Sequence, residues 1–314
     1  MDEKTYDLVI IGAGPAGYSA AIYASRYRLK TLVIGELVGG LITEAHLVCN
    51  YPGYESISGI DLMVKFQDQA LKNGAQELND RVIDLQNIGN AENSEFQIKT
   101  SRSGEFKARN IILATGSKHR RLGLPNEENF VGKGISYCAT CDALFYKEKI
   151  VGVIGGSNSA VMAAMYLAEV ASKVYVFYRG DTLRGEPAWV EQLKSNSKIE
   201  VLFGSNVVEL KEKTTPSGMK KLGSVILDKD NREILLDGLF IEIGYDPDLS
   251  LPKFLNVEVD ERGYIKVDSS MRTNIKGVYS AGDITTASNG FRQVITATSE
   301  GAIAANTLFF DHKK

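Results

Sequence analysis

Two cysteines separated by two residues, Cys138 and Cys141, are followed directly by Asp142. Cysteines at this spacing can close a small, reducible ring, which favours a low thiol pKa and thiol–disulfide exchange. A zinc knuckle would need further ligands, and the chain has only Cys49 and three histidines to supply them. A chain this long can bury its own core and needs no static disulfide. The pattern therefore predicts a redox-active pair, with Asp142 placed to deliver or accept a proton.

The composition is that of a globular protein with two domains of ordinary size. The chain has 314 residues, 44% hydrophobic and 24% charged, with a formal net charge of −3. This balance indicates neither nucleic acid nor an anionic membrane as a partner. The most apolar stretch, residues 8–24, contains glycines and a proline and falls short of the ~20 apolar residues of a membrane span. Residues 1–4 show no secretory signal, and three cysteines fit a reducing interior, so we expect a cytoplasmic protein.

The elements that would serve the cysteines begin at the amino terminus with a dinucleotide-binding unit. A buried strand at residues 6–11, a glycine turn at 12–17, a helix at 18–27 and a strand at 31–34 follow one another. The glycines let the backbone approach a pyrophosphate at the helix N-terminus. Glu36 closes the second strand, where an acid can hold a ribose hydroxyl; a solvated loop acid is the open alternative.

The same order of elements recurs later in the chain. A strand at residues 149–154, a glycine turn at 155–160, a helix and a strand at 173–177 match the first copy, and Gly155 lies 143 residues after Gly12. Arg179 stands where the first copy has Glu36, and arginine there suits a 2′-phosphate. The second site would then hold NADP, with Arg184 as a second guanidinium; a solvated basic loop is the alternative. The repeat predicts a duplicated nucleotide-binding fold.

The remaining segments are predicted from their apolar periodicity and turn residues. We expect helices at 61–73 and 294–310, buried strands at 110–116 and 238–244, short strands within 76–108 and at 263–267, a strand and a carboxylate turn at 278–283, and linkers at 118–129 and 246–252.

Together these motifs resemble the low-molecular-weight thioredoxin reductases of the FAD-dependent pyridine nucleotide-disulfide oxidoreductase family, over essentially the whole chain. The order and spacing of the motifs make the match specific. The matching residues are Gly12 to Gly17, Asn50-Tyr51-Pro52-Gly53, Ala114-Thr115-Gly116, Cys138-Ala139-Thr140-Cys141-Asp142, Ala281-Gly282-Asp283 and Arg292-Gln293.

The resemblance implies an α/β fold with two Rossmann-like dinucleotide-binding domains, the second inserted into the first. Residues 1–117 and 246–314 would form a discontinuous FAD-binding domain, and residues 118–245 an NAD(P)H-binding domain that carries the redox pair. Cys141 would face the flavin, Cys138 would attack the partner disulfide, and Asp142 would be the acid/base. The family is homodimeric.

The resemblance also places Asp283 on the FAD sugar chain and Arg292 and Gln293 near the isoalloxazine. The candidate cofactor residues are Gly12, Gly14, Pro15, Ala16, Gly17, Glu36, Gly40, Asn50, Ala114, Thr115, Gly116, Gly282, Asp283, Arg292 and Gln293 for FAD, and Gly155, Gly156, Ser157, Asn158, Ser159, Arg179 and Arg184 for the pyridine nucleotide.

The second nucleotide site departs from the family pattern at several positions. Ser157 replaces the middle glycine, a glutamate usual in the following helix is absent, and the usual His-Arg-Arg reads Tyr178-Arg179-Gly180. In the first site, Leu41 replaces a glutamine that would lie near the flavin. The FAD and disulfide motifs match well, whereas the NADPH motifs match only in part.

These observations predict a flavoprotein disulfide reductase that passes electrons from NAD(P)H through FAD and the cysteine pair to thioredoxin or a glutaredoxin-like protein. NADPH is the expected donor, with weak binding; NADH or another donor is left open. The alternatives are a related enzyme with a different donor, a dithiol oxidase that runs the cysteines in reverse, and a non-catalytic FAD-binding redox sensor. No nucleic acid, membrane or metal is expected to bind.

Overall fold

The computed structural model describes residues 4–90, 93–216 and 218–311. The first three residues, which enter the expectation about a secretory signal, lie outside this description. Among the described residues, no helix has both the length and the apolar character needed to span a membrane.

The chain contains both strands and helices, with the strand–helix–strand order of an α/β protein at β1-α1-β2 and β9-α5-β10. The strands are β1 (Thr5–Ile11), β2 (Thr31–Ile34), β3 (Gln76–Leu78), β4 (Val82–Asn87), β5 (Phe96–Thr100), β6 (Glu105–Leu113), β7 (Ser117–His119), β8 (Ile135–Ser136), β9 (Ile150–Ile154), β10 (Lys173–Tyr178), β11 (Ile199–Phe203), β12 (Val207–Thr214), β13 (Lys220–Leu227), β14 (Glu233–Leu235), β15 (Gly238–Ile241), β16 (Tyr245–Pro247) and β17 (Val278–Ser280). The helices are α1 (Pro15–Arg26), α2 (Gly59–Lys72), α3 (Glu127–Phe130), α4 (Ala139–Asp142), α5 (Asn158–Val170), α6 (Pro187–Ser195) and α7 (Val294–Asp311).

The chain forms two compact units. Unit 1 comprises residues 1–118 and 246–314, and unit 2 comprises residues 119–245 between them. β7 and β16, where the chain passes between the units, pair with each other.

Unit 1 is built on a largely parallel sheet in the order β3-β2-β1-β6-β5-β4. β1 pairs in parallel with β2 and with β6. β5 pairs antiparallel with the first part of β6, and β17 pairs in parallel with its last three residues. The carboxyl ends of β1, β6 and β17 therefore lie side by side, at the edge where nucleotide-binding turns are found.

The sheet of unit 1 is buried on both faces, which explains its nearly continuous apolar strands. Leu8 and Ile10 of β1 pack toward the alanine-rich faces of α1 and α7, whereas Val9 and Ile11 pack on the opposite side with Phe96. The two helices come very close: a methyl group on Gly301 would lie 2.1 Å from the carbonyl oxygen of Ala16. Small residues on both helices allow this approach.

Unit 2 repeats the arrangement with a parallel sheet in the order β11-β10-β9-β15-β8. α5 packs on this sheet through Ala160, Val161, Ala164 and Leu167. A separate antiparallel sheet, β12-β13-β14, covers the other side and contributes Leu210, Leu222 and Val225 to a second core cluster.

Three sequence-based expectations differ from the structure. The strand predicted at residues 263–267 is wrong: Ile265 makes only isolated bridges, to Val259 and Thr285, because the turn at Gly263 leaves no run for a ladder. The linkers predicted at 118–129 and 246–252 also contain regular structure: the first includes the end of β7 and the start of α3, and the second includes most of β16. The α/β class and the insertion of one Rossmann-like fold into another are confirmed.

Candidate active site

The first glycine turn connects β1 to α1 under tight steric constraint. Gly12 has φ of +120°, and a methyl group there would lie 2.0 Å from the carbonyl oxygen of Ala114. A methyl group on Gly17 would lie 1.9 Å from the carbonyl oxygen of Gly12. Only glycine fits at these two positions, so the turn holds Ala114, Thr115 and the start of α1 at one edge of the sheet.

Gly14, the N-cap of α1, faces open space instead. A methyl group there would meet only Gly39 and Gly40, both at 3.9 Å. The Gly39 N–H donates to the carbonyl of Ala13 at 2.8 Å and brings this second glycine pair beside the turn. No side chain caps α1, and Pro15 at its first position has no N–H to satisfy.

The backbone of Gly14, Gly39 and Gly40 surrounds the uncapped N-terminus of α1 and leaves space that a Cβ on Gly14 would partly fill. We call this space the diphosphate cradle. The remaining N–H groups of the first turn and the positive end of the helix dipole favour a phosphate there. The residues therefore fit the diphosphate of FAD.

The turn after β17 completes this side of unit 1 and depends on a residue that sequence reasoning missed. Glu300 of α7 is buried, and its carboxylate accepts hydrogen bonds from the Gly282 N–H at 2.8 Å, the Thr285 hydroxyl at 3.0 Å and the Ser288 hydroxyl at 2.7 Å. Three donors compensate the buried charge. The sequence signal that could have identified Glu300 is an acidic residue inside an otherwise apolar, alanine-rich helix.

Asp283 follows Gly282 directly, in the same turn after β17. Burial raises the pKa of its carboxyl to about 6; the positive charge of Arg292 opposes the rise, and the charge of Glu300 adds to it. Arg292 donates from Nε to the carbonyl of Asp283 at 3.1 Å, and its guanidinium stacks 3.7 Å from the ring centroid of Tyr264. The arginine is thus held beside the aspartate without a direct ion pair between the side chains.

Two further FAD candidates are brought together and one is set apart. The Asn50 amide donates to the Gln293 side chain at 3.0 Å, so residues distant in sequence meet at the start of α7. Glu36 lies after β2 and is exposed, with Arg81 3.9 Å away. Because Glu36 is exposed, its carboxylate can reach a ribose hydroxyl. Solvent screening also keeps its ion pair with Arg81 weak.

The redox pair lies in unit 2, on the short helix α4. Cys138 and Cys141 form a disulfide, with Cα atoms 5.3 Å apart. The Cys141 N–H donates to Cys138 Sγ at 3.1 Å, and the Asp142 N–H donates to the Cys138 carbonyl at 3.2 Å. The Ser136 hydroxyl accepts from the Cys138 N–H at 3.0 Å. Cys141 is exposed and Cys138 half-buried, so the disulfide is open to exchange.

The surroundings of the pair combine apolar and ionisable groups. Leu144 and Phe145, just after α4, are 73% and 71% exposed. Burial raises the pKa of Tyr146, and the negative charges of Asp142 and Asp237 add to the rise. Cys49, the third cysteine, is free and exposed in unit 1.

The second glycine turn connects β9 to α5. Gly155 has φ of +144°, and a methyl group there would lie 2.2 Å from the carbonyl oxygen of Glu242. Ser157 is the N-cap residue, but its hydroxyl makes no capping hydrogen bond. Asn158 is engaged with Glu186, whose backbone N–H donates to the asparagine Oδ1 at 2.6 Å.

Of the two candidate phosphate-binding arginines, Arg184 is hydrogen-bonded to this turn through its backbone. The Arg184 backbone N–H donates to the Gly156 carbonyl at 2.6 Å. Arg179 directly follows β10. Both side chains are exposed, and neither forms an ion pair within the described part of the chain.

The residues that the structure describes contain no group of three or more histidine, cysteine, aspartate or glutamate side chains that could hold a metal ion.

The sequence and the fold are similar to those of proteins of known family. The family described as pyridine nucleotide-disulphide oxidoreductase matches residues 6–301. The thioredoxin reductase of Peptoclostridium acidaminophilum is 40% identical over 309 residues, covering 96% of each chain. The crystal structure of Lactococcus lactis thioredoxin reductase is 35% identical, with a TM-score of 0.88 over 97% of this chain and 98% of that one. A ferredoxin-flavin thioredoxin reductase from Clostridium acetobutylicum is also 35% identical, with a TM-score of 0.51 over 99% of both chains.

Proposed function

The chain belongs to the pyridine nucleotide-disulphide oxidoreductase family, and from this premise we propose that it reduces the disulfide of thioredoxin through FAD and the Cys138–Cys141 pair. Thioredoxin reductases about 40% identical over nearly the whole chain identify the activity as that of a thioredoxin-disulfide reductase. The observation that carries the proposal is the Cys138–Cys141 disulfide, placed at the surface of unit 2 beside exposed apolar side chains.

The family implies FAD, and we assign it to unit 1. Gly14, Gly39 and Gly40 would admit the diphosphate, Asp283 would meet the sugar chain, and Arg292 and Gln293 would lie toward the isoalloxazine. Bound FAD supplies two-electron reduction of a disulfide. Glu300 positions the Gly282 backbone for this site, since it binds the turn from inside α7.

The cysteines carry out exchange once they are reduced. The Cys141 N–H, which donates to Cys138 Sγ at 3.1 Å, would stabilise a thiolate on that sulfur once the disulfide is reduced. That thiolate attacks one sulfur of the partner disulfide, whose S–S bond breaks to give a mixed disulfide and a partner thiolate. The partner thiolate takes a proton from solvent, which balances the proton that Cys138 lost. Cys141 then attacks Cys138 Sγ, the mixed disulfide breaks, and the partner leaves as a dithiol once its second sulfur is protonated. Asp142 would accept the proton of Cys141 and return it to the leaving sulfur.

The partner surface follows from what lies beside the disulfide. Leu144 and Phe145 present apolar area to solvent within four residues of Cys141. Side chains of this kind are typical anchors of protein interfaces. We propose that they bind an apolar rim around the disulfide of thioredoxin or a glutaredoxin-like protein.

The donor belongs to the same proposal. The family implies a pyridine nucleotide, and we propose NADPH, bound weakly in unit 2 with its 2′-phosphate toward Arg179 and Arg184. Ser157 replaces a glycine that would let the backbone approach the pyrophosphate closely, and Gly180 replaces an arginine that would carry a positive charge. Little discrimination against NADH is therefore expected. A second candidate donor is a one-electron protein carrier, favoured by these departures and by the similarity to an enzyme named for ferredoxin.

The proposal also includes the oligomeric state of the protein and its cellular compartment. Ile60, Val64 and Leu71 form an exposed apolar row on one face of α2, and Ile295 and Phe310 of α7 are also exposed. We propose that this surface of unit 1 joins two copies of the chain in the cytoplasm. Sedimentation at the mass of a single chain would refute the dimer.

The test uses the FAD-loaded enzyme, thioredoxin disulfide and NADPH or dithionite as reductant. Cys138→Ser and Cys141→Ser should each lower turnover by at least about a thousandfold while FAD stays bound, because either change removes the exchangeable disulfide. Cys49→Ser is the matched control and should keep most activity, since Cys49 is free and outside α4. An inactive Cys49 variant together with an active Cys138 variant would overturn the assignment.

A further inference from the structure

Tyr178, the last residue of β10, places its ring between two glycines of unit 2. A methyl group on Gly156 of the second glycine turn would lie 2.4–2.6 Å from three carbons of the ring. A methyl group on Gly180 would lie 2.7–3.0 Å from Cε1, Cζ and the hydroxyl oxygen. The ring therefore spans the gap between the glycine turn and the end of β10 and contacts both walls.

This gap is where the adenosine ribose of a dinucleotide belongs. In a Rossmann fold the glycine turn approaches the pyrophosphate, and residues just beyond the second strand bind the ribose 2′ position. Gly156 and Gly180 stand at these two places. The space between them is filled by a side chain of the protein itself.

Packing makes the three residues interdependent. Because the ring touches both glycines, neither position accepts a side chain while Tyr178 lies there. An arginine at position 180 would clash with the ring before it reached a 2′-phosphate. Tyr178 and Gly180 are therefore coupled, because the ring occupies space that a charged side chain at position 180 would need.

The walls of the gap are fixed, so the ring is the movable part. The Arg184 N–H donates to the Gly156 carbonyl at 2.6 Å, and the Gly204 N–H donates to the Gly180 carbonyl at 3.1 Å. Tyr178 is half-buried and packs against the core cluster that includes Val174 and Val176. Entry of a nucleotide requires the ring to leave this position and to expose apolar area.

We propose that Tyr178 is the residue that limits nucleotide affinity at the second nucleotide site. Its ring occupies the ribose position, so NADP(H) and NAD(H) bind only when the ring swings out, and both bind weakly. This inference rests on the proposed function insofar as unit 2 is taken to be the nucleotide unit.

The test is a calorimetric titration of the FAD-loaded protein with NADP⁺ and with 2′,5′-ADP. Tyr178→Ala should lower the dissociation constant of both ligands by about tenfold or more, because no ring has to be displaced. Tyr178→Phe is the matched control: it keeps the ring without the hydroxyl and should bind within about threefold of the native protein. Thermal unfolding and FAD absorbance verify the fold of each variant.

An Ala variant that binds as weakly as the native protein, or more weakly, would overturn the proposal, since the ring would then be neutral or a supporting platform. Should the Ala variant fail to fold, Tyr178→His replaces it, because the smaller imidazole does not span both glycines and the same gain is expected. Dithionite-driven thioredoxin reduction by the native protein is measured in parallel. Failure of that reaction would refute the proposed function without touching the binding result.

Discussion

Asp283 is a candidate cofactor residue whose ionisation the fold alters. Burial raises the pKa of its carboxyl to about 6, against the opposing charge of Arg292, whereas an aspartate in the unfolded chain titrates near 3.9. The native state therefore binds the proton more tightly. The resulting stability is fully present below about pH 4 and is lost as the pH rises through about 6.

We expect the FAD-free native protein to lose on the order of 2 kcal/mol more unfolding free energy than Asp283→Asn between pH 4 and pH 7. Urea denaturation of both proteins at a series of pH values measures the difference, in which the other titrating groups cancel. Parallel curves would show that Asp283 is not held in a buried environment.

Single residues also show what the sequence could and could not predict. Asp283, Arg292 and the cysteine pair were predicted as site residues because their motifs have fixed spacing. Glu300 was missed because its role depends on hydrogen bonds to a turn that a different part of the chain supplies. Tyr178 was noted as a departure, but its contact with Gly156 and Gly180 depends on side-chain packing that no local pattern encodes.

At the level of elements, the strand–turn–helix of β1 and α1 separates two roles of glycine. At Gly14 a methyl group would meet protein atoms only at 3.9 Å, whereas at Gly17 it would lie 1.9 Å from the Gly12 carbonyl oxygen. One glycine leaves room for a ligand, and the other allows the helix to pack on the strand.

We expect Gly14→Ala to fold normally but to lose FAD affinity by at least about tenfold, because the methyl group projects into the diphosphate cradle. Gly17→Ala should destabilise the fold itself by more than about 3 kcal/mol, since backbone must move. Thermal unfolding and FAD titration of both variants check this. A Gly14 variant with native FAD affinity would remove the diphosphate from this turn.

The sequence predicted elements best where burial is complete. β1, β2, β9 and β10 were placed within about one residue because parallel strands covered on both faces read as apolar runs. The antiparallel sheet β12-β13-β14 and the helix α6 were not predicted. β12, β14 and α6 are largely exposed and carry mixed polar and apolar residues with no clear period, whereas β13 was missed although its last six residues are buried. A short run of mixed residues also produced the wrong strand at residues 263–267.

At the scale of the whole molecule, the order of motifs was enough to predict the α/β class, the family and the disulfide reductase activity. The electron donor was not settled in this way, because it depends on whether a few side chains leave room for a ribose. We assign FAD to unit 1, the disulfide lies in unit 2, and we propose that the two centres exchange electrons.

An anaerobic dithionite titration of the FAD-loaded protein, followed by flavin absorbance, tests that claim most directly. If the disulfide is in redox contact with the flavin, complete bleaching of the native protein and of Cys49→Ser requires about four electrons per chain, two for each centre. Cys138→Ser and Cys141→Ser should require about two. A native protein whose flavin bleaches fully with about two electrons, and whose two cysteines stay oxidised, would contradict the account.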